Sequence, residues 1–193
     1  MITITEANLK EIFPTVSKEK CSLYTKAFNE VLPKYSIDSV RRVSAFLGQI
    51  AVESGELRYD RELPSKYNKL NPKDPKEPTG ALYENRKNLG NNLAGDGPKF
   101  IGRGILQLTG RANYDNMSKK LGIDLLANPE LACDTVISVK IACEYFKERG
   151  LLDLADKWNL DKITEKVNGK AKLHLDLRVK YSEKALKVLS ALP

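Results

Sequence analysis

The sequence predicts a mainly α-helical fold with a small β element (α+β). Three observations carry that expectation. Apolar residues recur at helical spacing through most of the chain. Two short central segments instead alternate or are punctuated by glycines, and a proline-rich stretch lies between them. With 193 residues, 41% hydrophobic and 30% charged, the chain can bury one sizeable core, and wholesale disorder is excluded.

Taken in order, "TEANLKEIF" opens on Thr5 as an N-cap and predicts a short helix ending near Pro14. A second helix is expected over 17–31. In "SVRRVSAFLGQIAVESG" the residues Val40, Val43, Phe46, Leu47, Ile50 and Ala51 fall on helical spacing. That predicts a buried central helix, capped by Asp38 or Ser39 and ended by Gly55. "ELRYDREL" alternates, with Leu57, Tyr59, Arg61 and Leu63 on one side, and reads as a short strand. Residues 64–100 read as a loop-rich insertion with one short helix near 81–88; loops this long are often functional. "FIGRGILQLTG" is β-like. Helices are expected again over 111–121, 134–149, 151–157, 160–167 and 175–191. The last should place Leu177, Tyr181, Ala185, Leu189 and Leu192 on one face. The whole, residues 1–193, is expected to form a single domain.

Composition narrows the function classes. A formal charge of +7 favours a polyanionic partner without choosing among nucleic acid, an anionic membrane surface and an acidic wall polymer. No helix-turn-helix or aromatic-basic stripe supports nucleic acid. The cysteines, Cys21, Cys133 and Cys143, predict free thiols, with Cys133 and Cys143 in core packing. A single histidine, His174, gives a zinc site or a histidine relay little to build on. "MITITEANLKEIFP" has neither a basic n-region nor a continuous apolar h-region. A chain made in the cytoplasm without a signal peptide is therefore expected, and no later segment is long enough to span a bilayer.

The glycines around 95–110 fit neither G-x-G-x-x-G nor the phosphate-loop pattern, so nucleotide binding is not expected. The carboxylates say more. Glycoside hydrolysis needs one carboxylic acid for the leaving oxygen and one carboxylate for water or sugar. Glu53 falls in the last turn of an apolar helix, near the negative end of its dipole and partly desolvated, which suits the acid. Glu62 falls on the polar face of the extended segment with Arg58 nearby, which suits the base. Nine positions span roughly 30 Å when extended, so the chain must bend at Ser54–Gly55 to bring the two within glycosidase range. With 25 acids in the chain, spacing alone leaves both open as surface charges.

The stretches "AFLGQIAVESGELRY" and "GRGILQLTGRANYDNMSKKLGIDLLANPEL", followed by "ITEKVNGKAKLHLDLRVKY", together resemble the family-19 glycoside hydrolases. These are chitinase-like enzymes with a lysozyme-like fold, and the likeness is strongest to their phage and prophage endolysin branch. The resemblance implies that Glu53 in "VESG" is the general acid, although Val52 precedes it where the family often has histidine. It implies that Glu62 in "RELP" is the second carboxylate, with Glu56 as the alternative. Thr109 matches a hydroxyl that helps hold the attacking water, and Gln107, Asn113, Tyr59 and Asn168 match substrate-side positions. Arg103 and Arg178 are candidates to support the carboxylates, with Arg103 also counted among the binding residues.

The implied reaction is inverting hydrolysis of β-1,4 bonds between N-acetyl sugars, with no metal and no organic cofactor. The expected substrate is peptidoglycan, cut by a monomeric endolysin without a separate wall-binding module. It would stay in the host cytoplasm until holin-assisted release. Its Lys-rich region 157–193 could contact anionic envelope polymers; a core-packing helix with a solvated basic face is the alternative. A chitinase acting on chitin oligomers and a non-catalytic wall-binding domain stay open as other readings.

Overall fold

Side-chain hydroxyls start the first three helices. Thr5 caps α1 (Glu6–Ile12) in a reciprocal capping box with Asn8, Ser17 caps α2 (Lys18–Val31), and Ser39 caps α3 (Val40–Glu53). Further along the chain come α4 (Asp96–Lys99), α5 (Arg111–Leu121), α6 (Thr135–Glu148), α7 (Leu151–Asp156), α8 (Leu160–Asn168) and α9 (Leu175–Ser190). Short 3-10 turns cover Leu32–Tyr35, Ala81–Tyr83, Lys87–Leu89 and Pro129–Cys133. The protein is described here by a computed structural model covering residues 2–191; Leu192, expected on the face of the last helix, lies outside the described residues. Each helix expected beyond residue 110 is present within two residues of its predicted bounds.

The chain divides into two compact units: residues up to Arg58 together with those from Ala142 onward, and Tyr59–Ile141. In the first unit α3 is the central element. Nine of its residues, Val43 through Ala51, are buried on every side, as the apolar run predicts. Phe46 stacks edge-on against Phe146 at 4.9 Å and against Phe28 at 6.1 Å. Each such ring, fully buried, contributes about 1.5–3 kcal/mol.

α9 packs along α3 with Ala185 and Leu189 buried as expected, but toward its N-terminal half the buried face is shifted by one position. Arg178, Ser182, Ala185, Val188 and Leu189 are buried, whereas Leu177 is 40% exposed. Gly48 explains the turn. A Cβ there would sit 1.9 Å from Ser182 Oγ and 2.8 Å from the Arg178 carbonyl oxygen, so only glycine lets the two backbones come this close. The approach draws Ser182 and Arg178, rather than Leu177 and Tyr181, into the interface.

"ELRYDREL" does not form the expected strand. Ser54 Oγ receives the Leu57 N–H at 2.8 Å, and Gly55, Glu56 and Leu57 all have positive φ (57°, 60° and 65°). An extended chain cannot pass through three left-handed residues. Leu57 is consequently buried while Tyr59 and Leu63 are exposed.

In the second unit the small β element is reduced to two isolated antiparallel bridges, Arg61 with Arg103 and Arg103 with Leu108. Phe100, Tyr114, Met117, Leu125, Ala132 and Ile141 form the unit's apolar cluster. The 64–100 segment is tied down by buried polar groups. Asn91 donates to Tyr83 O at 2.9 Å and accepts the Arg111 N–H at 2.8 Å. Asp96 pairs with the Arg111 guanidinium at 2.7 Å, which holds the Asp96 carboxyl below the ordinary aspartate range. The three cysteines are free thiols; Cys21 and Cys143 are buried, but Cys133, expected in the core, is only half-buried and donates to Asp60 O.

Replacing Gly48 with alanine should cost about 1–3 kcal/mol, because its methyl meets backbone as well as a side chain. Thermal unfolding followed by circular dichroism should show a Tm lower by several degrees; an unchanged Tm contradicts the close-approach account of α3 and α9.

Candidate functional site

Glu53 closes α3, with Ser54 as its C-cap and the Glu56 N–H returning to Ala51 O at 2.8 Å. Its Oε1 accepts a hydrogen bond from Arg178 Nη2 at 2.5 Å. Arg178 is among the largest fully buried side chains, only 1% exposed. Its Nη1 donates to Gln49 Oε1 at 2.8 Å and its Nε to Leu173 O at 3.1 Å, and Gln49 in turn donates to Thr164 Oγ1 at 3.3 Å. A buried guanidinium is tolerable only when its donors are matched in this way. The set fixes where the Glu53 carboxylate stands. Asn168, at the end of α8, accepts the Leu173 N–H at 2.7 Å and so shapes the turn whose carbonyl Arg178 uses.

Glu56, the alternative second carboxylate, is committed elsewhere. It accepts the Thr15 N–H at 2.7 Å, the Thr15 hydroxyl at 2.6 Å and the Tyr181 hydroxyl. Burial opposes its charge, but the hydrogen bonds from Thr15 and Tyr181 outweigh burial and hold its carboxyl below the ordinary glutamate range. Glu56 is thereby a tether among α9, the 54–58 turn and the segment after α1.

Glu62 stands in the second unit within a shell of neutral donors. Asn68 Nδ2 reaches Oε1 at 3.1 Å, the Tyr83 hydroxyl reaches the same oxygen at 2.8 Å, and the Gly102 N–H reaches Oε2 at 3.1 Å. Burial, then the hydrogen bond and charge of Glu62, push the Tyr83 hydroxyl up to about 12, so it remains a donor throughout the neutral range. Arg58, expected beside Glu62, directs its Nε to Gly55 O at 2.8 Å.

Three polar groups converge over the α-carbon of Gly102. The point that a Cβ would occupy lies 2.6 Å from Gln107 Oε1, 3.3 Å from Thr109 Oγ1 and 3.4 Å from Glu62 Oε2. The missing side chain makes this gathering possible. Thr109 donates its hydroxyl proton to Gln107 O at 2.8 Å, leaving Oγ1 to accept; Gln107 Nε2 donates to Gly104 O at 3.1 Å. A carboxylate, a hydroxyl oxygen and an amide oxygen, all acceptors, suit a water or an acetamide N–H. Asn113 supports the group from behind, its Nδ2 on Thr109 O at 2.7 Å.

The second unit thus brings Glu62, Gln107, Thr109 and Asn113 together, and the first holds Glu53 and Asn168 in the Arg178 network. Tyr59 is exposed at the start of the second unit. Arg103 is buried, its guanidinium on Glu130 Oε1 at 2.7 Å, Lys99 O at 3.0 Å and the Tyr114 hydroxyl at 3.0 Å, which gives it a scaffolding position. Gln49, Asn68 and Tyr83 were not anticipated. Gln49 did leave a signal, as a lone amide inside "FLGQIAV"; Tyr83 and Asn68 lie in a loop without periodicity. Among the described residues, no three His, Cys, Asp or Glu side chains are grouped as a metal ion would need.

The family model described as "Chitinase class I", for glycoside hydrolase family 19, matches residues 37–151. A family 19 domain-containing protein of Haemophilus influenzae is 30% identical over 184 residues, 86% of this chain and 88% of that protein. Endochitinase EP3 of Arabidopsis thaliana is 28% identical over 164 residues; the match takes in 77% of this chain and 55% of that protein's length. A bacterial family 19 chitinase of known structure superposes with a TM-score of 0.69 at 22% identity, covering 99% of this chain and 97% of the other. At that identity the likeness concerns the fold, which is the mainly α, lysozyme-like one expected.

The Glu56 tether has a pH signature. Because its folded-state value is depressed, its contribution is fully present above the unfolded carboxylate value of about 4.3 and is lost as pH falls through the lower folded value. Glu56→Gln should therefore be less stable than the parent by roughly 1–3 kcal/mol at pH 7. The gap should narrow below about pH 4. Urea unfolding at both pH values checks this, and a gap that widens in acid contradicts it.

Proposed function

The chain belongs to glycoside hydrolase family 19 and is a glycosidase; from that premise we propose that it is an endolysin that hydrolyses β-1,4 bonds between N-acetyl sugars of bacterial peptidoglycan. The observation that carries the mechanism is the convergence of Glu62, Thr109 and Gln107 over Gly102. Glu62 acts as the general base: its carboxylate accepts one hydrogen of a water and takes that proton as the oxygen attacks. The water's other hydrogen is held by Thr109 Oγ1, with Gln107 Oε1 beside it for a sugar acetamide N–H. Glu53 acts as the general acid. Arg178 holds its Oε1, and Oε2 carries the proton that passes to the leaving oxygen. Splitting the two roles between an acid and a base, with no covalent intermediate, gives inversion.

The net charge of +7 supports the substrate assignment, since a bacterial envelope is anionic and chitin is neutral. The "VESGELRY" and "RELP" stretches support the endolysin branch. The lysines from residue 157 onward add attraction to anionic envelope polymers. In this role the protein works as a monomer on wall glycan after holin-assisted release from the host cytoplasm. The chitinase names of its relatives favour a second reading, chitin oligomers as substrate.

Two substitutions test the proposal. Glu53→Gln should lower clearing of outer-membrane-permeabilised Gram-negative cells by about 10²–10⁴-fold. It should lower Tm as well, because the buried Arg178 keeps a hydrogen-bond acceptor but loses its counter-charge. Gly102→Ala should lower it by at least about ten-fold, because the methyl spreads the three acceptors. Full activity in Glu53→Gln would sink the acid assignment. Mass spectrometry of new reducing ends on wall glycan, against soluble chitin oligomers, decides between the two substrates.

A further inference from the structure

The chain has one tryptophan, and its backbone is unusual. α7 ends in a tight turn in which the Trp158 N–H donates to Ala155 O at 3.0 Å and the Asn159 N–H to Leu154 O at 2.8 Å. Trp158 occupies the left-handed position of that turn, with φ 54°. Glycine fits such a position without steric cost, so an indole there is held against a backbone preference. It opens on a groove of about 460 Å³ lined by Lys157, Trp158, Asn159, Asp161, Val179 and Glu183. All of these belong to the first unit, and all lie beyond residue 151, where the family match ends.

The groove's chemistry points to a neutral, hydroxyl-rich ligand. An indole face offers an apolar platform for the C–H face of a pyranose ring. Asp161 and Glu183 are acceptors for sugar hydroxyls and acetamide N–H groups, and Asp161 is fixed by Lys172, whose Nζ lies 2.7 Å from both oxygens. Lys157 in the lining and Lys172 on Asp161 offset the two carboxylates, so the groove is locally near neutral and the net charge of +7 gives it no preference for a polyanion. A volume of this size accommodates a short run of sugar rings.

We infer that the Trp158 groove is a second glycan-binding site, taking N-acetylhexosamine units of a β-1,4-linked strand and holding the polymer independently of its hydrolysis. The ligand class rests on the glycosidase reading above. Trp158 reports its own groove, because no other tryptophan contributes emission.

Titration of the full-length Glu53→Gln protein with tetra-N-acetylchitotetraose, and separately with peptide-free wall glycan fragments, should give a saturable change in tryptophan fluorescence. The arm with the tighter response identifies the source of the glycan. Glu183→Ala should weaken the response about two- to ten-fold. Trp158→Gly, which keeps the turn, should cleave short soluble oligomers at the parental rate and bind insoluble glycan about two- to ten-fold less well. Silent emission at millimolar oligomer, a response indifferent to Glu183→Ala, or parental polymer binding by Trp158→Gly would each overturn the inference. A chain that responds at Trp158 but cleaves no β-1,4 glycan refutes the proposed activity and leaves the groove. Cleavage with a silent Trp158 refutes the groove alone.

Discussion

A buried guanidinium organises the first unit. Taking Arg178 out of water costs several kcal/mol unless its donors are matched. Meeting them requires Glu53 and Gln49 from α3 and the Leu173 carbonyl before α9, while Asn168 sets that turn. The packing follows from the same demand. Gly48 must lack a side chain for α9 to lie close, and Ser182 must be small to meet it. The central helix is therefore placed by a polar requirement as much as by its apolar surface, and Glu53 stands where that requirement puts it.

The second unit works by a different device. Glu62 is held by an amide, a phenol and a backbone N–H, which position a carboxylate without neutralising it. Two of those donors, Asn68 and Tyr83, come from the 64–100 segment. Buried Asn91, Asp96 and the Arg111 ion pair tie down the later part of that segment, residues 83–96, despite its lack of regular structure. Gly102 supplies the remaining donor and, by having no side chain, the space above which Gln107 and Thr109 meet Glu62. The long loop is thus the shell of a carboxylate.

The legibility of the sequence follows the range of the interactions involved. α3 could be read because its apolar spacing, Ser39 cap and Gly55 stop are all local. The place of Glu53 in the last turn could be read for the same reason, whereas its role as an acid rests on the ordered motifs, since spacing alone leaves it open as a surface charge. Ala185 and Leu189 on the buried face of α9 could be read from spacing, but the burial of Arg178 and Ser182 could not, since it is set by Gly48, more than a hundred residues away in sequence. The alternation in "ELRYDREL" misled, because three left-handed residues and the Ser54 hydroxyl bond override a period-two pattern. The sequence ranks Glu62 above Glu56 through its polar-face position and the motif resemblance; the partners that separate them, Thr15 and Tyr181 on Glu56 and Tyr83 on Glu62, are ones that no spacing reveals. Gln107, Thr109 and Asn113 were legible only through the ordered motifs, and their shared point over Gly102 only through the fold.

The central claim is that Glu62 activates a water held by Thr109 while Glu53 supplies the proton. Proton NMR of the hydrolysis products in their first moments, before mutarotation, tests it most directly. A β-1,4-linked substrate should release the α-anomer first. The β-anomer as the first product would mean a covalent intermediate on a carboxylate, and would contradict the role given to Glu62.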